Sequence, residues 1–296
     1  MNEVRLSYVM TTRNKLPYLK QTLPRLIKNK KEDEEILVAD GASTDGTKEY
    51  LESLKQGGLI DRYISEPDSG EAHGLNKLFL MAKGILITII TDDDVFDFKS
   101  LQAIKNFMLE HPEIDYTGSE GGAKNQNPGG SVRPFIYENN YRKWQSNRTP
   151  FASCALGLVY RRSSIPLIGL LNTSYKQLDA EFTLRNTSGK TNIAWYTGHS
   201  YVNISGPQST SIVHMKRIKN ERETMNRFYL GIKPNSIVSQ KFNALVVKIK
   251  SGTLFKSKNA SNGATEVKWE PLAKISEEWL EKINKEKKLE FIWNKK

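Results

Sequence analysis

The densest chemical signal in the chain is a run of three aspartates, Asp92, Asp93 and Asp94, which ends the apolar stretch Ile87-Thr88-Ile89-Ile90. Carboxylates so placed make a hard, anionic oxygen site. Such a site suits Mg²⁺ or Mn²⁺ and, through the ion, a diphosphate. An isolated acidic run reads equally well as a solvated turn, so its companions decide. Asp40 closes a second apolar stretch, Ile36–Ala39, and opens the Gly/Ser-rich turn Gly41 to Thr47. Asp179 and Glu181 stand at the head of a helix-like segment. A carboxylate there is either an acid favoured by the helix dipole or a base that takes the proton of a hydroxyl nucleophile.

Such groups need a scaffold that brings them to one edge. The runs Val4–Met10, Ile36–Ala39, Ile60–Ile64 and Ile85–Ile90 read as strands. They alternate with Leu16–Asn29, Thr44–Leu54, Glu71–Ala82 and Asp97–Leu109, whose apolar residues recur at helical spacing. Thr44 or Asp45 is the expected cap of the second helix. This order predicts an α/β chain with a doubly wound, mainly parallel sheet, whose ligands bind past the carboxyl ends of the strands. From Gly118 to Pro150 the glycine pairs, Asn and Pro predict a long mobile loop. Tyr137, Tyr141 and Trp144 read either as platforms for a sugar ring or as packing residues. Strand character returns at Ala155–Tyr160 and Ile193–Ile204, and helix at Tyr175–Arg185.

The 296 residues, 38% of them hydrophobic, can fill one α/β domain with an appendage. The net charge of +11 is uneven: residues 215–296 hold 19 Lys and Arg against 9 Asp and Glu. The expected division is a body over 1–214 and a basic, mostly helical extension over 215–296. An apolar face at Val238, Phe242, Leu245, Val246 and Ile249, flanked by Lys241 and Lys248, reads as a membrane-surface helix, a packing helix or a strand. Ser257–Gly263 reads as a loop and Ser276–Lys288 as a charged helix. The partner of the extension is expected to be anionic, a lipid surface or a phosphorylated acceptor before nucleic acid, since no nucleic-acid reading module is recognisable. A single cysteine, Cys154, excludes an intrachain disulfide. No run of about 18–20 apolar residues is present, and Met1–Arg5 leads straight into a strand without an apolar leader. The expectation is a cytoplasmic protein, peripheral at the inner face of the membrane if its extension binds lipid.

Four segments occur in order: Leu6–Met10 followed by Thr11-Thr12-Arg13-Asn14; VADGASTDGT from Val38; ISEPDSGEAHGLNKLFLMAKG from Ile64, together with TDDDVF from Thr91; and LDAEFTLR from Leu178. In that order the chain resembles the family 2 glycosyltransferases, inverting enzymes of the GT-A fold, over about residues 4–215. VADGASTDGT is similar to the family's Asp-Asp-Gly-Ser-x-Asp-Gly-Thr motif, TDDDVF to its DxD-type metal motif and LDAEFTLR to its Glu-Asp-x-x-x-x-x-Arg block. The resemblance implies an enzyme that moves a sugar from a nucleotide-diphosphate sugar, a UDP-sugar by expectation, to a hydroxyl of a glycan or lipid-linked acceptor in surface polysaccharide synthesis. It implies Mn²⁺ or Mg²⁺ as cofactor. Thr11, Thr12, Asn14, Asp68 and Asn76 would line the nucleotide-sugar pocket. Asp40 would accept a hydrogen bond from the base, or simply hold its turn. Asp92 would lie near the ribose. Lys77 would meet a phosphate, or serve as a surface lysine. Asp93 would ligate the metal, with Asp94 as the alternative ligand and His214 as a third ligand or a structural histidine. Asp179 takes the place of the base and Glu181 is its rival, because Leu178 replaces the usual acid before it.

Other classes fit less well. A dinucleotide oxidoreductase expects Gly-x-Gly-x-x-Gly after its first strand, where this chain has Thr-Thr-Arg-Asn. A sugar nucleotidyltransferase expects a glycine-rich basic loop near its start. A non-catalytic nucleotide- or glycan-binding module would not need the aspartate triplet.

Overall fold

A computed structural model describes residues 3–126, 129–206, 209–232 and 269–294. The first half alternates as β1 (Leu6–Thr12), α1 (Leu16–Asn29), β2 (Glu34–Asp40), α2 (Thr47–Gln56), β3 (Arg62–Ser65), α3 (Glu71–Met81) and β4 (Leu86–Ile89). After the aspartates come β5 (Val95–Phe96), α4 (Phe98–Glu110), β6 (Tyr116–Asn125), β7 (Arg133–Phe135), α5 (Glu138–Asn147), β8 (Val159–Arg161) and α6 (Ile165–Ile168). The remaining elements are α7 (Leu178–Ser188), β9 (Ile193–Ser205), α8 (Thr210–Val213), α9 (Met215–Leu230), α10 (Trp269–Lys285) and β10 (Phe291–Ile292).

The main sheet runs β10-β9-β6-β8-β4-β1-β2-β3. β1 pairs in parallel with β2 and β4, and β2 with β3, so this half is wound as the alternation predicted. Its central strands are covered on both faces, which is why they read as continuous apolar runs. β8 lies antiparallel between β4 and β6, and β6 pairs in parallel with β9. The sheet is therefore mixed, and mostly parallel at its centre. The registers Thr12↔Asp40 and Val9↔Ile89 bring the carboxyl ends of β1, β2 and β4 to one edge, where the chemistry-bearing residues begin.

Local sequence accounts for two helix starts, although the residue that caps α2 is Gly46 in the left-handed region and not the expected Thr44 or Asp45. Asp97 caps α4, accepting from Lys99 N and Ser100 N. Asp45 serves two helices: Oδ1 accepts from Thr47 N in α2, while Oδ2 accepts from Leu16 N at the head of α1. That second bond ties the loop after β1 to the loop after β2.

Within Gly118–Pro150 the structure differs from the expected loop. Most of β6, then β7 and α5 occupy it. The glycines of β6 answer close approach, not mobility: a Cβ on Gly121 would lie 2.2 Å from the Tyr201 ring, and one on Gly118 2.2 Å from the Trp195 ring. Only a residue without a side chain lets β9 place those rings over β6. Tyr141 and Trp144 are packing residues, 0% and 1% exposed, with Tyr141 Oη donating to Ile193 O and Trp144 Nε1 to Thr187 O.

Of the described elements beyond residue 214, α9 packs against α7, while α10 and β10 return to the sheet. β10 pairs antiparallel with β9. From α10, Trp269, Leu272, Ala273 and Leu280 pack with Val95, Val132, Val202 and Ile204 in a second core cluster. Arg25 of α1 clamps this helix, pairing with Glu270 at 2.7 Å and Glu277 at 3.2 Å, its guanidinium 4.8 Å from the Trp269 ring centre. The expected amphipathic segment 238–249 and the loop 257–263 lie outside the described residues.

Candidate active site

A cavity of about 480 Å³ opens at the carboxyl edge of β1 and β4. Thr11 and Thr12 end β1 on one wall, and Asp92, Asp93 and Asp94 follow β4. Asp68 and Glu71 enter from the β3–α3 turn, Phe135 and Tyr137 from β7 and the start of α5, and Asp179 from the first turn of α7.

Each aspartate of the triplet is held from a different part of the chain. Asp92 receives Lys15 Nζ on its carboxylate at 3.1 Å, and its carbonyl accepts from Thr22 Oγ1 at 3.0 Å. Asp93 receives the same ammonium at 2.6 Å, and its carbonyl accepts from Trp269 Nε1 at 2.7 Å. Asp94 turns inward: its carboxylate accepts from Thr91 Oγ1 and Ile204 N, both at 2.6 Å, and from Asn203 Nδ2 at 3.1 Å. Burial pushes the Asp92 and Asp94 carboxyls up, against the pull of Lys15 and their hydrogen bonds. Burial alone would lower Lys15, but Asp92 and Asp93 outweigh it and hold the ammonium above the ordinary lysine range.

Asp93, Asp94 and His214 do not gather into one ligand set. Among the described residues no three Asp, Glu, His or Cys side chains cluster tightly enough to hold a metal ion by themselves. His214, between α8 and α9, is not in the cavity wall, and Asp94 is engaged by β9. Asp92 and Asp93 nevertheless converge on a single cation, the Lys15 ammonium, at the cavity surface. Two carboxylates at one position, with phosphates and water to complete the shell, suit the octahedral preference of Mg²⁺ or Mn²⁺. The donor set fits the ion as a partial site.

The other expected residues divide. Thr11, Thr12, Asp68 and Asp179 line the cavity. Burial raises the Asp179 carboxyl, opposed by the backbone N–H groups around it and by the Cys154 thiol. Asp40, Asn14, Asn76, Lys77 and Glu181 are not in the wall. The Asp40 carboxylate accepts from Ser65 Oγ at 2.6 Å and from the hydroxyl and amide of Ser43. Asn14 holds the same turn, its Oδ1 accepting from Thr44 N at 2.8 Å. Asn76 makes two hydrogen bonds to the backbone of Leu171, Nδ2 donating to Leu171 O and Oδ1 accepting from Leu171 N, and Lys77 pairs with Glu66 at 2.7 Å. Glu181 is buried, ion-paired to Arg185 at 3.0 Å, and accepts from Tyr229 Oη at 2.9 Å.

Sequence reasoning missed three residues at the site. Lys15 follows the first strand directly, and a cation there, facing acids at a neighbouring strand end, was a usable signal. Glu71 is the first residue of α3. Its side chain is open to the cleft, yet the surrounding walls first, and then Asp179, Asp92 and Asp93, push its carboxyl up to about 7. Trp269 reaches Asp93 across 176 positions of sequence, and no local pattern announces it.

Comparison with known proteins places these features. No curated protein matches the chain. Among solved structures, the fold is similar to S. aureus TarS 1-349 in complex with UDP-GlcNAc: 16% identity, TM-score 0.58, 86% of this chain and 74% of that one covered. It is also similar to a longer S. aureus TarS structure, of which the alignment covers only 46% (18% identity, TM-score 0.54, 88% of this chain). A third is the mannosyltransferase PcManGT from Pyrobaculum calidifontis in complex with GDP-Man and Mn²⁺ (17% identity, TM-score 0.53, 96% and 72% covered). At such identities the likeness speaks for the GT-A architecture alone. The sequence profile described as glycosyl transferase family 2 matches residues 7–165, more than half of the chain, and with the wound sheet and its acidic edge this makes the protein a member of that family.

Proposed function

We propose that this glycosyltransferase is metal-dependent and inverting, and takes a UDP-sugar as donor and a hydroxyl of a glycan or lipid-linked acceptor. The carrying observation is the convergence of Asp92 and Asp93 on one cation in the wall of the cavity that Asp179 also lines. Mg²⁺ or Mn²⁺ held by Asp93 and Asp92 would offset the negative charge growing on the departing diphosphate. Thr11, Thr12 and Asp68 line the donor side. Asp40 and Asn14 act one layer behind them, fixing the turn between β2 and α2. Asp179 is the base: it takes the acceptor hydroxyl proton as the new C–O bond forms at the anomeric carbon, while the diphosphate leaves with its electron pair from the opposite face. Its raised carboxyl suits that task, since a stronger base works nearer ambient pH. Glu181 is kept from it by Arg185 and Tyr229 and holds α7 in place. Tyr137, at the cavity wall, is the aromatic placed to meet a sugar ring.

The proposed division is a catalytic body over 1–214 and a basic extension over 215–296, whose α10 and β10 pack on that body and whose excess of Lys and Arg draws the enzyme to the anionic cytoplasmic face of a membrane, where a lipid-linked acceptor is presented. No helix among the described residues is long and apolar enough to cross a bilayer.

A thermal-shift comparison of UDP- and GDP-sugars, each with Mn²⁺ and with a chelator, tests the donor and the metal together. A UDP-sugar should raise Tm only with Mn²⁺, and Asp93→Asn should abolish that rise. Equal shifts with the chelator would remove metal dependence, and a larger shift with GDP-sugars would replace the donor.

A further inference from the structure

We propose that Lys15 is a resident counter-cation of the site: its ammonium occupies the position of the divalent ion between Asp92 and Asp93, competes with it there, and swings to the donor diphosphate when the ion binds. The proposal rests on the metal reading above and deepens it.

Three cationic side chains line the cavity, Arg13, Lys15 and Lys176, and among the described residues only Lys15 is held by carboxylates. The hold is double, at 2.6 Å to Asp93 Oδ2 and 3.1 Å to Asp92 Oδ1. No other cation meets either carboxylate among the described ion pairs. Without it, two adjacent and largely enclosed carboxylates would face each other unneutralised, at a cost in repulsion and desolvation. Lys15 therefore keeps the aspartate loop in shape before any ligand arrives. An ammonium and a divalent ion cannot share one carboxylate face, because like charges at contact distance repel strongly in a half-enclosed site.

Lysine suits a carrier of this kind. Its charge is a compact point on a flexible stem with three rotatable donors, whereas an arginine would lock both carboxylates in a planar fork. The stem is anchored at its base. Leu16 N, the next amide, is fixed by Asp45, and Lys15 O accepts from Tyr18 N and Leu19 N in the first turn of α1. The backbone is thus rigid while the side chain, 28% exposed, opens onto the cavity. A ligand diphosphate bound in that cavity would bring the anion to which the displaced ammonium can turn.

Mn²⁺ binding to the full chain, read by the electron paramagnetic resonance signal of the free ion, provides the test. Wild type, Lys15→Met and Lys15→Gln are titrated with and without UDP. Without UDP, both neutral variants should bind Mn²⁺ about tenfold tighter than wild type, because a competing charge is gone. With UDP, the order should narrow or reverse, since the variants lack the ammonium that meets the diphosphate. Wild-type affinity in either folded variant without UDP overturns the role of Lys15 and leaves the metal reading standing. No Mn²⁺ binding by any of the three proteins, with or without UDP, overturns both.

Discussion

The hydrogen bond from Trp269 to Asp93 makes the far end of the chain part of the site, and its removal has a calculable effect. Trp269→Phe keeps an aromatic ring in a slot that is 1% exposed but deletes the N–H that meets the Asp93 carbonyl at 2.7 Å. Leaving a fully buried acceptor unpaired costs about 1–3 kcal/mol, and this part-buried carbonyl falls at the low end of that range. The smaller ring weakens the contact with Arg25 by a further ~0.5 kcal/mol. For a chain of this size each 1 kcal/mol is about 2–4 °C in Tm. Leu280→Ala is the matched control. Leu280 lies in the same cluster on the same helix, 2% exposed, and its side chain has no polar atom to hydrogen-bond the aspartate loop. Truncating it should cost about 2–5 kcal/mol, comparable to or more than Trp269→Phe. The two variants are then separated by Mn²⁺ affinity, measured by titration well below both melting points. If the indole N–H positions Asp93, Trp269→Phe loses about three- to tenfold in Mn²⁺ affinity, while Leu280→Ala, though no more stable, keeps the wild-type value. Equal affinity in wild type and Trp269→Phe would refute the positioning role, and equal losses in both variants would reduce α10 to packing.

Asp179→Asn should bind donor as wild type does and lose about 10²–10⁴-fold in turnover, whereas Glu181→Gln should lose mainly stability, since it leaves Arg185 unpaired beside Phe182; donor binding, turnover and Tm measured on both would exchange these roles if Glu181→Gln proved the stable, inactive variant. Turnover should fall with decreasing pH at a higher pH than an ordinary aspartate would give, because Asp179 works ionised and burial raises its carboxyl; a flat profile down to about pH 4, near the unperturbed aspartate value, would exclude it as the base. Glu71, pushed up to about 7, binds more protons folded than unfolded, so its contribution to stability is complete below its unfolded value near 4.3 and is lost as pH rises through about 7. Glu71→Gln should therefore gain on wild type in Tm as pH rises from 5 to 8, and parallel curves would show the residue to be solvated like any surface glutamate.

The alternation of apolar runs and helical segments was legible because the central strands are buried on both faces, so strand identity depended on local composition alone. The order of the motifs was legible for the same reason, since each sits at a strand end or a helix start. What failed to read was whatever depended on contacts between distant segments. Gly118 and Gly121 carried the composition of a loop, yet the reason for glycine lies across the sheet in Trp195 and Tyr201. Tyr141 and Trp144 bordered that apparent loop and so invited a ligand-binding reading, although their polar atoms meet backbone carbonyls of Ile193 and Thr187 in the core. The charge of the C-terminal region hid an apolar face on α10, because lysines and glutamates on the solvent side of a helix dominate any count made over its whole length.

The aspartate triplet shows why a motif alone underdetermines a site. Asp92 and Asp93 lie in a bend between β4 and β5, so strand alternation does not set the direction of their carboxylates. All three line the cavity, and where each carboxylate is directed is settled from outside the motif. Thr91, Asn203 and the amide of Ile204 draw Asp94 inward and fasten it to β9. Thr22 of α1 and Trp269 of α10 hold the Asp92 and Asp93 carbonyls. Lys15 draws their carboxylates together at the cavity. A chain carrying the same three letters without those partners would have the motif and lack the site. The inverse also holds: Asp93 O receives Trp269 of α10, so the proposed metal site and the closure of the second core share the loop from Thr91 to Val95. Substitutions in α10 should therefore be felt in metal binding to the extent that they move Trp269, and in stability to the extent that they empty the cluster around Val202.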